Sequence, residues 1–62
     1  MFIIEVENWE EDIYTLEEDF NTLKEATEEA QKIAYQYKAI GIYELDKNGN
    51  EIREYDIYGE EI

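Results

Sequence analysis

One amphipathic stripe limits the architectures open to this chain more than any other feature. Leu23, Ala26, Thr27, Ala30, Ile33, Ala34 and Tyr37 recur at i, i+3, i+4 and i+7, the spacing of a single helical face. Thr22 stands just before the stripe, with Glu25 three residues on. That is a capping box, in which the Thr22 hydroxyl accepts from the Glu25 amide while the Glu25 side chain reaches back. The pattern predicts one helix over residues 23–37, with Glu28 and Lys32 as an i,i+4 pair on its outer side. One helix can cover only one face of a sheet, so the other face must meet solvent.

The flanking segments read as strands. Phe2 to Glu7 alternates, with Phe2, Ile4 and Val6 inward, and Ile13 to Leu16 is a short second strand. Asn48-Gly49 lies between two β-rich runs and predicts a hairpin with a two-residue type I′ turn. That turn sets Glu44 against Arg53, Ile42 against Tyr55, Ile40 against Ile57 and Leu45 against Ile52, pairs of matching character. A three-residue loop with Gly49 as a bulge would instead set Ile42 against Glu54. The expected fold is a single α+β domain over residues 1–62, ordered ββαββ, with a mostly antiparallel four-stranded sheet and one helix packed on one face. Residues 59–62 are expected to fray, and the lone Trp9 is read as a cap on the core in preference to a binding anchor in its acidic loop. Strand order is not legible.

A chain of 62 residues has a thin stability margin. With no Cys and no His, disulfides, thiolate zinc sites and imidazole ligands are excluded. Nine aromatic residues must supply much of the apolar area. No run approaches the roughly 20 apolar residues that span a bilayer. Met1-Phe2-Ile3-Ile4-Glu5 lacks the basic and apolar regions of a signal peptide. The expected location is the cytoplasm.

Charge is the strongest compositional signal, with 18 acids against five bases and a net charge of −13. Solubility alone asks for a magnitude of about 2–8 in a small domain. The excess is unevenly spread. Residues 1–21 hold eight acids and no base, residues 22–38 three of each, and residues 39–62 seven acids against Lys47 and Arg53. The helix is therefore neutral and the acidity belongs to the strands and loops. Glu5 and Glu7 should lie about 6.6 Å apart on one side of a strand, as should Glu54 and Asp56. Rows of carboxylates at that spacing resemble a phosphate backbone in sign and rough density. The same face is expected to carry Tyr43, Leu45, Ile52 and Tyr58, and the Glu10-Glu11-Asp12 loop extends it.

The expected partner is a basic nucleic-acid-binding protein; direct contact with nucleic acid or an anionic membrane is disfavoured by charge. The candidate partner-binding residues are Glu5, Glu7, Glu10, Glu11, Asp12, Tyr43, Glu54, Asp56 and Tyr58. Without Ser, His or Cys a nucleophilic triad cannot be built, and the expectation is a protein that is not an enzyme and takes no cofactor. Asp46-Lys47-Asn48-Gly49-Asn50-Glu51 resembles a calcium loop only in its alternating oxygens, since Glu51 stands where the EF-hand pattern requires Gly; no metal site is expected. Crowded carboxylates would raise one another's pKa, so stability is expected to rise as pH falls from 7 towards 5.

In size, charge and lack of catalytic residues the chain resembles the small acidic inhibitors that phages and mobile elements direct against host nucleic-acid enzymes. Anti-restriction proteins, anti-CRISPR proteins and uracil-DNA glycosylase inhibitors are of this kind, several of them DNA mimics. Thr22-Leu23-Lys24-Glu25-Ala26 is also similar to the helix entry of phage inhibitors of bacterial RNA polymerase. The resemblance implies an inhibitor that occupies a basic surface, and it carries over no functional residue. The alternatives are an RNA polymerase inhibitor that acts without mimicry, or a non-inhibitory interaction module. Whether the chain is a monomer or pairs as a homodimer through an edge strand is open.

Overall fold

In a computed structural model that describes residues 1–62, the core is a patch of five residues where one helix lies on two central strands. Strand β1 (Phe2–Glu7) and strand β3 (Ala39–Leu45) pair antiparallel with Ile4 directly opposite Ile42. Helix α1 (Leu23–Ile33) lowers Ala26 and Ala30 onto Ile4, Val6 and Ile42, and all five are essentially inaccessible to water. The two alanines let the helix approach closely. Full burial of each of the three branched side chains contributes roughly 1.5–3 kcal/mol. Strand β2 (Ile13–Thr15) flanks β1, and strand β4 (Glu51–Tyr55) flanks β3, both antiparallel, giving the order β2-β1-β3-β4. The expected ββαββ fold with one covered face is what the chain adopts. No helix is long and apolar enough to cross a membrane.

The helix begins as its capping box predicts. Thr22 Oγ1 accepts from the Glu25 amide at 3.1 Å, and Glu25 takes the Thr22 hydroxyl proton in a 3.0 Å bond. It ends earlier than the stripe predicts. After Ile33 the chain tightens into one 3₁₀ turn, Ala34–Gln36, and Tyr37 is already extended. The Glu28–Lys32 pair is not formed: the ion pairs within 4.0 Å all belong to Lys38 or Arg53.

Three turns share one construction. In each, a leading Asn or Asp accepts two backbone N–H groups on its side-chain oxygen, and the fourth residue adopts positive φ. Asp46 Oδ1 accepts from Asn48 and Asn50, with Gly49 at φ 85°. Asp56 Oδ1 accepts from Tyr58 and Glu60, with Gly59 at φ 88°. Asn8 Oδ1 accepts from Glu10 and Asp12, and the left-handed position is filled by Glu11 at φ 69°.

This construction corrects four expectations. The β3–β4 hairpin has a three-residue loop, closed by Asp46 and Asn50, and not a two-residue turn. The loop shifts the register by one, so Leu45 faces Glu51 and not Ile52; a bulge then restores Glu44 opposite Arg53 and Ile42 opposite Tyr55. The predicted Ile40–Ile57 pair does not form because the chain turns at Asp56, and the Ile57 carbonyl accepts instead from the Gln31 side chain. The last residues are tied down: Tyr55 bridges to Glu61, and the Ile62 amide donates to the Glu54 carbonyl.

Glu11 is the one non-glycine residue at positive φ. A left-handed conformation costs a branched-free L-residue roughly 1 kcal/mol relative to glycine. Glu11→Gly should therefore raise unfolding free energy by about 1 kcal/mol, whereas Gly49→Ala should lower it by a similar amount. Chemical denaturation of the two variants checks both signs; a destabilised Glu11→Gly would mean that the exposed Glu11–Lys38 contact outweighs the backbone strain.

Candidate docking face

Side chains alternate across a strand, so the residues between the buried ones emerge on the face away from the helix. On β1 these are Ile3, Glu5 and Glu7, on β3 Ala39, Gly41, Tyr43 and Leu45, and on β4 Glu54. The register aligns them in rows: Glu5 lies opposite Thr15 on one side and Gly41 on the other, while Tyr43 lies between Ile3 and Glu54. The missing side chain at Gly41 leaves room that the Tyr43 ring leans into. A Cβ on Gly41 would stand 3.4 Å from Tyr43 Cε2 and 3.5 Å from Glu54 Oε2. A hollow of about 180 Å³ opens here, where Ile13, Ala39 and Tyr43 meet Glu5, Glu7 and Glu54.

The electrostatics of this face are one-sided. Lys38 reaches Glu7 at 3.7 Å and Glu11 at 3.2 Å, but Glu5 and Glu54 have no cation within 4.0 Å. The Tyr43 phenol is pushed up to about 12, first by burial and then by the Glu5 and Glu54 charges. On the helix side the opposite holds. Glu44 accepts from the Tyr55 hydroxyl at 2.8 Å and from Arg53 at 3.2 Å, and these bonds hold its carboxyl below the ordinary value. Asp46 is likewise lowered, by the backbone N–H groups of Asn50 and Asn48.

Of the nine residues singled out from sequence, Glu5, Glu7, Tyr43 and Glu54 are brought together around this hollow. Glu10, Glu11 and Asp12 lie in the β1–β2 turn, which leaves β1 immediately after Glu7. Asp56 does not join Glu54 on the face, because its carboxylate is spent on the amides of its own turn. Tyr58 sits 74% exposed in that turn, beside a second hollow that includes Ala34, Tyr37 and Ile57. Ile52 is on the bulge and exposed.

Sequence reasoning missed Trp9. It does not cap the core but stands 68% exposed at the tip of the β1–β2 turn, among Glu10, Glu11 and Asp12. The signal was present: Asn8-Trp9-Glu10-Glu11-Asp12 has the layout of Asp46-Lys47-Asn48-Gly49-Asn50, which puts the second residue at a turn tip. Glu11 in place of Gly concealed it. No group of three or more carboxylates is placed to hold a metal ion. Compared with known proteins, the chain matches no family model, no curated protein and no solved structure.

The two sets of shifts give pH dependences at opposite ends of the scale. Glu44 and Asp46 have depressed folded pKa values, so their stabilisation is present above the unfolded carboxylate range and lost as pH falls through the folded values. These groups thus lower stability on strong acidification, below the pH 7 to 5 range in which mutual repulsion is expected to act. Tyr43 has a raised folded pKa; its contribution is complete below pH 10 and is lost as pH rises towards 12. Thermal melts across pH should therefore fall below about pH 4.5, a loss reduced by Tyr55→Phe. Tyr14 and Tyr55 are also raised, but spectrophotometric phenol titration should find Tyr43 the late tyrosine that Glu5→Gln moves down, though not to 10, since burial remains. A Tyr43 that titrates with the exposed tyrosines would contradict the assignment.

Proposed function

We propose that the protein binds the basic, nucleic-acid-contacting surface of another protein and blocks it. The observation that carries this reading is the uncovered sheet face, where Glu5 and Glu54 stand near Tyr43 and neither forms an ion pair within 4.0 Å. An acidic patch of this kind attracts a basic groove over distance, and aromatic side chains supply contact area once the surfaces meet. The β1–β2 turn adds both features in one arm, with exposed Trp9 among three acids. Along β1 the carboxylates repeat every second residue, about 6.6–6.8 Å apart, and neighbouring strands lie about 4.8 Å away. The face thus carries Glu5 and Glu7 on β1 and Glu54 two strands away on β4, charge of the sign that basic proteins read on a phosphate backbone without regard to sequence.

Inhibition by occupancy follows from the chemistry. A protein that displaces nucleic acid from its own binding surface needs the sign, the spacing and some apolar contact, but no reactive group. The resemblance to phage and mobile-element inhibitors points the same way and suggests a nuclease, polymerase or glycosylase as the blocked partner.

Affinity capture from bacterial lysate, at low and at high salt, tests the reading. Expected are basic nucleic-acid enzymes that salt releases and that duplex DNA displaces. Charge reversal at Glu5 and Glu54 to Lys should weaken capture by about tenfold or more, because like charges then face each other. Partners indifferent to salt and nucleic acid, or unaffected by the reversals, would overturn it.

A further inference from the structure

The hollow on the open sheet face has two chemistries in one place. Ile13, Ala39 and the Tyr43 ring are apolar, while Glu5 and Glu54 stand at its sides. A long cationic side chain has the same division, an aliphatic stem ending in a charged head. Burying such a stem needs apolar walls, and the head needs carboxylates that are not already neutralised. Both conditions hold here: the chain's ion-paired cations, Lys38 and Arg53, serve Glu7, Glu11, Glu44 and Glu61, and leave Glu5 and Glu54 unmatched.

From this arrangement we infer that the hollow seats one arginine side chain of the partner, its guanidinium against the Tyr43 ring and shared between Glu5 and Glu54. The inference rests on the reading that this sheet face is the docking face, and it names what the face recognises. Arginine is favoured over lysine for physical reasons. Its planar fork can give paired hydrogen bonds to a carboxylate, and its flat, weakly hydrated cation stacks on a phenol ring, whereas an ammonium is a compact and strongly hydrated charge. The hollow is open to solvent on one side, so a side chain can enter it without any movement of the sheet.

The three remaining concave regions fit this role less well: one beside β4 shares Tyr43 and Glu54 but already contains Arg53. Glu18, Asp19, Glu25, Glu28 and Glu29 line a hollow beside α1, but Lys32 lies within it and the lining is almost wholly polar. The hollow beside Tyr58 is mostly apolar and already contains Lys38.

The test uses amide NMR of the whole chain titrated at constant ionic strength with two blocked amino acids, N-acetyl-arginine amide and N-acetyl-lysine amide. The arginine probe should shift the amides of Glu5, Gly41, Tyr43 and Glu54 first, and bind about two- to fivefold more tightly than the lysine probe. Glu54→Gln should weaken the arginine probe by about threefold or more, while Glu60→Gln, which removes the same net charge far from the hollow, should leave it unchanged. Shifts spread over all acidic segments, equal response to the two probes, or equal effects of the two substitutions would each overturn the arginine seat. Those outcomes would leave the salt-released capture of nucleic-acid enzymes standing or falling on its own result, so the two failures are distinguishable.

Discussion

Everything else in this molecule depends on one pairing, Ile4 on β1 against Ile42 on β3, closed from above by Ala26 and Ala30. It is the only place where water is fully excluded. The partly buried Phe2, Leu16, Phe20, Leu23, Ile40 and Tyr55 pack around it. Because a single helix provides the cover, only one side of the sheet can be apolar and enclosed. The other side is left without a structural duty beyond solubility. That freedom is what allows carboxylates to accumulate there without the desolvation cost that a two-sided core would impose.

The cations of the chain are placed to the same end. Arg53 and the Tyr55 hydroxyl hold Glu44 on the helix side, where a half-buried carboxylate needs partners. Lys38 ties the β1–β2 turn to the start of β3 through Glu11 and Glu7. Exposed pairs of this kind contribute little each, but their position decides which acids remain unmatched. Glu5 on the inner strand β1 and Glu54 on the edge strand β4 are the unmatched acids nearest Tyr43. On the helix side Glu44 is thus compensated, and on the candidate docking face Glu7 is, while Glu5 and Glu54 are not.

Much of this was legible in the sequence wherever the determinants are local. The Thr22–Glu25 cap and the start of the helical stripe depend on residues within one turn of each other, and both appear as read, though the helix stops at Ile33. Glu5, Glu7, Tyr43 and Glu54 were placed on the right face because alternation along a strand needs only the strand. The β3–β4 register came out right at Ile42–Tyr55 and Glu44–Arg53 for an incomplete reason. The three-residue loop at Lys47-Asn48-Gly49 displaces the strands by one, and the bulge at Ile52 displaces them back. Trp9, Asp56 and Tyr58 were misplaced by one shared oversight, the repeated turn in which an Asn or Asp spends its side chain on backbone amides. Strand order was out of reach, because the neighbour of β1 is decided by packing across the helix crossover and not by any residue near β1 in sequence.

The central claim is that the negative charge of Glu5 and Glu54 on the open sheet face is paired with no cation of the chain. It is tested most directly by NMR relaxation enhancement from a matched pair of soluble paramagnetic probes, one cationic and one neutral. Their ratio at each amide reports the local potential. The account predicts strong enrichment of the cationic probe at Glu5, Gly41, Tyr43 and Glu54, and markedly less at Glu44, which Arg53 compensates. A cationic probe no more enriched around Glu5 and Glu54 than at Glu44 would contradict it.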